Sequence, residues 1–396
     1  MRRVASIVLL ASTAVCVVGA VSIVAQQAAG GSQFSGGTNP DGSLRPSRPV
    51  TALFSQESYT EYQLLEPGSE AFRIRFLTET GRAGATEVVN ATRGGSEGTG
   101  VEVYDPRTGK PLEFTYEQQG NDPDSHAIHA KLAFPVPQGG TGRVLIYKTY
   151  KDARTYQMNG ADIVWVRSLE GYRLGVVLPK GFAFLSSNIA AQVTTTADGR
   201  LKLAFANPSG QANPLTIHAR PTTVAFPPQP FTDMFFDDVR TLYDLADPAT
   251  ATARIEQTYS DPRPGASAVL DSLTYLPLAD LNVIDLDTAK PLTTSKSGQR
   301  TLAALEVPIT GDKQSAHLRL TGSLSGGFAV AGDELTFDRT VKGLRNTVLL
   351  PAGWQVTAVS QSGVIGATAQ GRAFVAFVNL NAENTYRIVV KARRGK

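Results

Sequence analysis

The feature that most constrains the fold is an internal duplication of the sequence. The segment "GVVLPKGF" at 175–182 returns as "TVLLPAGW" at 347–354, and "GRLKLAFAN" at 199–207 returns as "GRAFVAFVN" at 371–379. Further upstream, "VYDPRTGKPL" at 103–112 returns as "VIDLDTAKPL" at 283–292. Matches that recur in one order and at nearly constant spacing predict tandem copies of one unit. We therefore expect two homologous domains, at 49–220 and 230–393.

The residue pattern within each copy is that of β-structure. "LKLAF" alternates apolar and polar residues, and the 37 glycines and 23 prolines punctuate the chain at the spacing of turns. We predict an all-β fold of two tandem antiparallel β-sandwiches, with about eight to ten strands per copy. In the motif at 175–182 a buried strand ends at a proline, the glycine allows a tight turn, and the aromatic residue covers the edge of the core.

This organisation resembles the immunoglobulin-like β-sandwich modules of exported bacterial proteins. The resemblance covers both copies and concerns the fold alone. It implies sandwich domains and assigns no functional residue.

The N-terminus predicts export. Two arginines follow Met1, and residues 4–25 carry no charge, which is typical of a signal peptide or of an N-terminal membrane anchor at 1–25. The remaining chain then lies outside the cytoplasm, with any membrane contact made through an uncleaved anchor. Residues 26–48 are rich in Gly, Ser and Gln and predict a flexible linker. The single cysteine, Cys16, lies in the apolar segment, so we expect no disulfide in the mature domains.

Charge and motifs argue against several classes of function. The formal net charge is only +3, so the composition does not favour a nucleic-acid partner. "GGSEG" at 94–98 matches the Gly-x-Ser-x-Gly pattern, but it precedes a predicted strand and lacks the helix that a nucleophile elbow requires. We predict no catalytic residue.

Two duplicated arginines are candidate functional or structural residues. Arg167 and Arg339 share strand parity with Trp165 and Phe337, so we expect both guanidinium groups on a buried face. A buried guanidinium needs a carboxylate or several carbonyl groups. The main prediction is structural ion pairs, and the alternative is an anion-binding pocket. The duplicated acids that are available as partners are Asp105 and Asp285, Asp162 and Glu334, and Glu66 and Asp247.

Two groups of residues contain the ligand types that metals use. His126 and His129 lie in or beside residues 116–127, an insertion of the first copy that we expect to be a surface loop, near Asp122 and Asp124. The second group, in the second copy alone, is Asp233, Asp237 and Asp238. Their spacing fits no EF-hand loop, so we predict solvated side chains and no cofactor, with calcium as the alternative.

Together these patterns favour an exported, non-catalytic protein of the cell envelope or extracellular space. We expect it to act in binding or assembly, on a protein or glycan surface. One alternative is a glycan- or peptide-directed hydrolase or lyase whose site lies between the two copies. Another is a subunit that acts within a larger assembly.

Overall fold

The computed structural model describes residues 36–46, 58–92, 97–119, 125–169, 173–207, 212–228, 239–261, 264–270, 278–298, 300–379 and 385–395. The regular secondary structure of these residues is entirely β, as predicted. None of them forms a helix with the length and apolarity that a membrane crossing requires. The predicted signal segment lies outside the described residues.

The N-terminal half contributes three sheets. The large sheet has the order β12-β13-β10-β1-β2-β7-β4, a second has the order β11-β14-β9-β8, and a third has the order β3-β6-β5. The strands are β1 (Ser58–Leu64), β2 (Ala71–Thr80), β3 (Glu87–Ala91), β4 (Glu97–Tyr104), β5 (Phe114–Gln118), β6 (His126–Lys131), β7 (Gly142–Lys151), β8 (Tyr156–Asn159), β9 (Asp162–Leu169), β10 (Arg173–Val177), β11 (Phe182–Ser187), β12 (Gln192–Thr195), β13 (Leu201–Ala206) and β14 (Asn213–Pro221).

The C-terminal half also contributes three sheets. Their orders are β19-β18-β22-β16-β15-β25-β28-β27, β23-β24-β29-β26 and β17-β21-β20. The strands are β15 (Val239–Asp247), β16 (Thr252–Asp261), β17 (Ala268–Leu270), β18 (Ala279–Asp285), β19 (Lys290–Pro291), β20 (Thr294–Ser297), β21 (Arg300–Ala304), β22 (Ala316–Leu324), β23 (Ala329–Ala331), β24 (Glu334–Val341), β25 (Arg345–Leu349), β26 (Trp354–Val359), β27 (Val364–Ala367), β28 (Ala373–Val378) and β29 (Tyr386–Arg394).

Strands that carry similar sequence occupy the same places in the two halves. Read from one edge, β12-β13-β10-β1-β2-β7-β4 corresponds strand by strand to β27-β28-β25-β15-β16-β22-β18. The core contacts also correspond. Tyr62 packs on Trp165 with ring centroids 5.1 Å apart, and Tyr243 packs on Phe337 with centroids 5.2 Å apart. Both pairs lie between the large sheet and the four-stranded sheet of their half.

The predicted sheets were purely antiparallel, and this detail is wrong at one place in each half. β1 pairs with β10 in parallel, and β15 pairs with β25 in parallel. Among the described residues the strand number is also larger than predicted, with 14 strands in the first half and 15 in the second. A parallel pair needs a long crossover between its strands. Alternation along a strand does not reveal that crossover, because alternation reports which face is buried and not the direction of the neighbouring strand.

The repeated Leu-Pro-x-Gly-aromatic motif has the predicted role. Gly181 and Gly353 both have φ of 78°, a left-handed conformation that favours glycine. The aromatic residue that follows begins a strand of the opposite sheet, and Phe182 and Trp354 are buried against the core. The motif therefore links the two sheets of each half.

Residues 116–127 are not simply the loop that the sequence predicted. β5 and β6 pair as a hairpin, with Gln118 opposite His126, and residues 120–124 at its tip lie outside the described range. In the second half the matching hairpin closes sooner, with Ser297 opposite Arg300. The additional residues therefore lengthen a hairpin. The sequence there does not alternate between apolar and polar residues, because a strand whose faces are both exposed can carry polar side chains on each of them.

Part of the predicted flexible linker has a defined position. Leu44 donates its backbone N–H to the carbonyl of Val356 at 2.7 Å, and Ser43, only 2% exposed, donates its hydroxyl to Gln355 at 2.6 Å. Asp41 accepts a hydrogen bond from the backbone N–H of Ser43 at 3.0 Å, which closes a local turn. Residues 36–46 thus pack on β26, which composition alone does not indicate.

The two halves meet through a reciprocal pair of backbone hydrogen bonds. Thr141, the residue before β7, donates to the carbonyl of Leu286 at 2.7 Å, and Ser315, the residue before β22, donates to the carbonyl of Pro106 at 2.7 Å. Pro106 and Leu286 occupy matching positions of the duplicated segment at 103–112 and 283–292. Each half therefore gives the other the same contact, as in an isologous dimer interface.

A buried ion pair reinforces this junction. Arg143 donates to both carboxylate oxygens of Asp287, at 2.7 and 2.5 Å, and to the hydroxyl of Ser315 at 2.9 Å. Burial acts to raise the pKa of Asp287, but the charge of Arg143 and hydrogen bonds from Arg143 and His317 outweigh it and lower that pKa to about 2. The junction is therefore held by a charged pair that is removed from water and satisfied on both sides.

Candidate anion-binding pocket

A cavity of about 750 Å³ lies in the N-terminal half, beside the inner face of the large sheet. Tyr62, Ile74 and Lys148 are in register across β1, β2 and β7, so all three project to this face. β3 and β9 supply further walls through Asn90 and Arg167. A volume of this size is that of a small-molecule site.

Lys148 is the most unusual residue of the cavity wall. It occupies an inward position of β7 and is only 5% exposed. Its ammonium donates to Oδ1 of Asn90 at 2.6 Å and lies 5.1 Å from the ring centroid of Tyr150. Burial, together with the smaller effect of the positive charge of Arg167, lowers the pKa of Lys148 to about 8. The charged form of Lys148 has three N–H donors, so two remain beyond the one that Asn90 accepts.

Arg167 places a second cation at the same cavity. Its Nε donates to the hydroxyl of Tyr62 at 3.0 Å, and the guanidinium carbon lies 5.1 Å from the Tyr62 ring centroid and 5.9 Å from that of Phe72. Its Nη1 is buried and has no hydrogen-bond acceptor within the part of the chain that is described. An arginine that uses one donor of five and rests on aromatic rings is well placed to take a carboxylate.

No carboxylate of the described residues lies within ion-pair distance of Lys148 or Arg167. The ion pairs that involve the neighbouring residues are elsewhere, such as Arg154 with Asp152 at 3.5 Å. Lys148 is buried and Arg167 is half-buried, and two such cations without a counter-ion repel each other; an anion between them removes that penalty. The apolar walls formed by Ile74 and Leu174 lower the local dielectric and strengthen this attraction. The arrangement therefore favours a ligand with one negative group and an apolar part.

The second half does not repeat this pair of cations. Across β2 and β7 Ile74 pairs with Lys148, whereas across β16 and β22 Ile255 pairs with Gly322. Arg339 matches Arg167, but it donates Nε to the carbonyl of Gly327 at 3.2 Å and Nη2 to the carbonyl of Gly326. Two nitrogens of the Arg339 guanidinium therefore already donate to backbone carbonyls of the second half.

Within the residues that the structure describes, the predicted pairing of the duplicated arginines with duplicated acids is not found. Arg167 contacts a hydroxyl and two rings, and Arg339 contacts two carbonyls. Asp105 accepts from the backbone of Arg107 and the hydroxyl of Thr108 in its own turn, and Asp285 pairs with Arg107 of the other half at 3.3 Å. Strand parity correctly placed both arginines beside the aromatic residues. It gave no information on the partner, which lies on β1 for Arg167 and in the turn at 325–328 for Arg339.

The predicted metal ligands are only partly described. His129 lies in β6 with Nδ1 3.1 Å from Oε1 of Glu87, and His126 stacks on Tyr116 with centroids 5.1 Å apart. Within the described ranges no three His, Cys, Asp or Glu residues are grouped as a metal site would require. The acidic candidates Asp122, Asp124, Asp233, Asp237 and Asp238 lie outside those ranges.

Sequence reasoning missed Lys148, although a signal was present. In "RVLIYKTY", Lys148 shares the parity of Ile146 and Tyr150, which are buried. A lysine at an inward position of a strand is unusual, because its charge needs a partner or a cavity. The position therefore predicts a buried partner or a cavity beside Lys148, and the structure has the cavity.

A small cavity lies at the junction between the halves. It is bordered by Glu79, Arg143 and His317 and measures about 20 Å³. That volume holds about one water molecule and no sugar ring or peptide.

Comparison with known proteins adds little. No family model matches the chain, and no curated protein matches it. Among solved structures, a crystal structure of a candidate protease from Parabacteroides distasonis is 10% identical, covering 86% of this chain and 92% of that chain, with a TM-score of 0.24. A likeness at that score supports no argument about fold or function.

Proposed function

We propose that this protein is an exported, non-catalytic binding protein, built from two copies of one β-sandwich domain, and that the first copy binds a carboxylate-bearing ligand. The single observation that carries the proposal is the meeting of Lys148 and Arg167 at one cavity without a counter-ion among the described residues. The ligand is a small acid or the acidic end of an envelope glycan or peptide.

The domain part of the proposal rests on correspondence between the halves. The shared strand order, the matching Tyr62–Trp165 and Tyr243–Phe337 contacts and the reciprocal hydrogen bonds at the junction all support a duplicated unit. We take its boundaries as 49–220 and 230–393. The resemblance to immunoglobulin-like modules concerns only the β-sandwich class. Each half of this chain also contains a parallel strand pair, β1 with β10 and β15 with β25.

The export part of the proposal rests on sequence alone. The uncharged segment at 4–25 after two arginines supports delivery across a membrane. Treatment of intact cells with a protease tests it, and digestion of the protein is the expected result. Full protection together with recovery in the soluble cytosol contradicts the proposal.

The divergence of the two copies supports binding in the first of them. Residues that both copies share are explained by the common fold, whereas Lys148 has Gly322 as its counterpart. Both copies have an arginine at the matching position. In the first copy N–H donors of Arg167 remain available for a ligand, whereas in the second copy Arg339 donates to two backbone carbonyls. A site that differs between copies points to a role beyond folding.

Thermal unfolding in the presence of small acids tests the binding proposal. We expect acetate, lactate, glucuronate and the dipeptide Ala-Ala to raise the melting temperature, and neutral glucose to leave it unchanged, since a ligand at 100 times its Kd stabilises by about 2.7 kcal/mol. Glucuronate represents the acidic end of a glycan and Ala-Ala that of a peptide, so the one that raises the melting temperature more indicates the source of the ligand. Arg167→Met should abolish the response.

The chain offers a matched control for that variant. Arg339→Met removes the sequence counterpart of Arg167 from the second half, and it should leave the response to acids intact. If Arg167→Met and the unmodified protein respond equally, or if no acid raises the melting temperature, the binding proposal is wrong.

A further inference from the structure

The chemistry of Lys148 suggests more than electrostatic attraction. A cation that serves only to attract an anion needs no particular ionisation behaviour, and an arginine performs that task at every physiological pH. Here one cation, Arg167, is permanently charged, and the other is an amine buried between Asn90 and the ring of Tyr150. The two cations therefore differ in what they offer a ligand.

We propose that Lys148 is a nucleophilic amine that forms an imine with an α-keto acid whose carboxylate is held by Arg167. This inference rests on the proposed binding of carboxylates at the same cavity. It adds a covalent bond and a narrower ligand class, acids with a carbonyl group next to the carboxylate.

Each reacting group has a defined place in the cavity. Arg167 projects from β9 and Lys148 from β7, and both line the same space. Arg167 is fixed by its hydrogen bond to Tyr62 and by two aromatic rings, so it presents a rigid anchor for a carboxylate. A carboxylate bound there would share the cavity with Nζ of Lys148, so that the adjacent carbonyl could reach the amine.

The step balances without any further reactant. Neutral Nζ of Lys148 adds to the carbonyl carbon, a C–N bond forms, and the electron pair of the C=O bond moves to oxygen. A proton from the amine is transferred through water to that oxygen, which gives a carbinolamine. Loss of one water molecule then gives the C=N bond of the imine, with no oxidation or reduction. The cavity opens to solvent through exposed residues such as Arg154 and Pro214, so water can leave.

The groups that face Lys148 favour the neutral, reactive form. The charged residues of the surrounding wall besides Lys148 are Arg167 and Arg154, and its polar residues are Thr60, Tyr62, Asn90, Thr92, Tyr150, Thr155 and Ser168. None is a carboxylate that would hold the ammonium form, and burial lowers the pKa of Lys148 to about 8. At pH 7.5 about a quarter of such amines are neutral, compared with about one in a thousand for an ordinary lysine.

Reductive trapping tests the inference. The purified full-length protein is incubated with pyruvate and sodium cyanoborohydride at pH 7.5, and the sites of addition are mapped by peptide mass spectrometry. We expect Lys148 to be labelled at least tenfold faster than exposed lysines such as Lys131. If Lys148 is labelled no faster than Lys131, the inference is wrong. This comparison is made within one unmodified protein and does not depend on the folding of a variant.

Two further arms separate this inference from the proposal beneath it. Arg167→Met should slow labelling by pyruvate at least tenfold more than it slows labelling by propanal, which lacks a carboxylate. Both reagents respond to the rise in the pKa of Lys148 that follows loss of the Arg167 charge, and only pyruvate also loses its anchor. An equal loss with both reagents overturns the role of Arg167 as anchor. Lactate has the carboxylate without the carbonyl. Binding of lactate and pyruvate with no labelling of Lys148 overturns the imine alone, whereas absence of binding by both acids overturns the proposed function as well.

Discussion

Replacing Lys148 with methionine should stabilise the folded protein. A pKa of about 8 in place of the ordinary 10.5 means that the buried site disfavours the charged amine. At about 1.4 kcal/mol per pKa unit, the penalty is on the order of 3 kcal/mol at neutral pH. Methionine loses the hydrogen bond to Asn90, which is worth about 1 kcal/mol, so the expected gain in the free energy of unfolding is about 2 kcal/mol.

The gain should depend on pH with a defined sign. Between pH 8 and 10.5 the unfolded chain binds a proton at this lysine that the folded protein has released, so the free energy of unfolding of the unmodified protein rises with pH there. Below pH 8 both states are protonated and the full penalty is present. The advantage of Lys148→Met should therefore be largest at pH 7 and fall away as the pH approaches 10.5.

Urea unfolding followed by fluorescence, at pH 7 and at several values up to 10.5, measures this difference. Lys131→Met is the matched control, because Lys131 lies in the neighbouring strand β6, is exposed and pairs with Glu113 at 2.7 Å. Its effect should be small and should not follow the same pH course. A loss of stability in Lys148→Met at pH 7, or a difference that stays constant over the range, refutes the account of a desolvated, unpaired ammonium.

Three other predictions concern the fold. Asp287→Asn should cost about 3–5 kcal/mol, seen as a lower urea midpoint, because it leaves the buried guanidinium of Arg143 without its counter-ion. The unmodified protein should lose about 2–3 kcal/mol as the pH falls from about 4 to 2, since the pKa of Asp287 is depressed to about 2 in the folded state. Arg339→Met should cost only about 1–2 kcal/mol in the same assay, since the carbonyls that it leaves belong to glycines of a turn and can bind water. Replacing residues 119–125 with Asn-Gly should change the melting temperature by only a few degrees, because shortening a hairpin loop alters its closure entropy by about 1 kcal/mol or less; unfolding of the N-terminal half would show that the segment belongs to the core.

The sequence by itself determined the all-β class and placed its repeated motifs. Alternation in "LKLAF" and the positions of Gly181 and Gly353 are local properties, and local geometry is enough to fix them. The same parity correctly set Arg167 beside Trp165 and Arg339 beside Phe337. It even marked Lys148 as inward-facing, although that signal was overlooked.

Only the tertiary structure decided what lies opposite each of these residues. Arg167 meets Tyr62, which is 105 positions away in the chain, while Arg339 meets the carbonyl of Gly327, which is 12 positions away. The parallel pairing of β1 with β10 and the docking of Leu44 on Val356 likewise depend on residues that are distant in sequence. Periodicity fixes the face on which a side chain lies, but the partner on that face is set by how strands and sheets assemble. For this reason aromatic rings and a cavity lie beside Arg167, where the sequence had predicted a carboxylate.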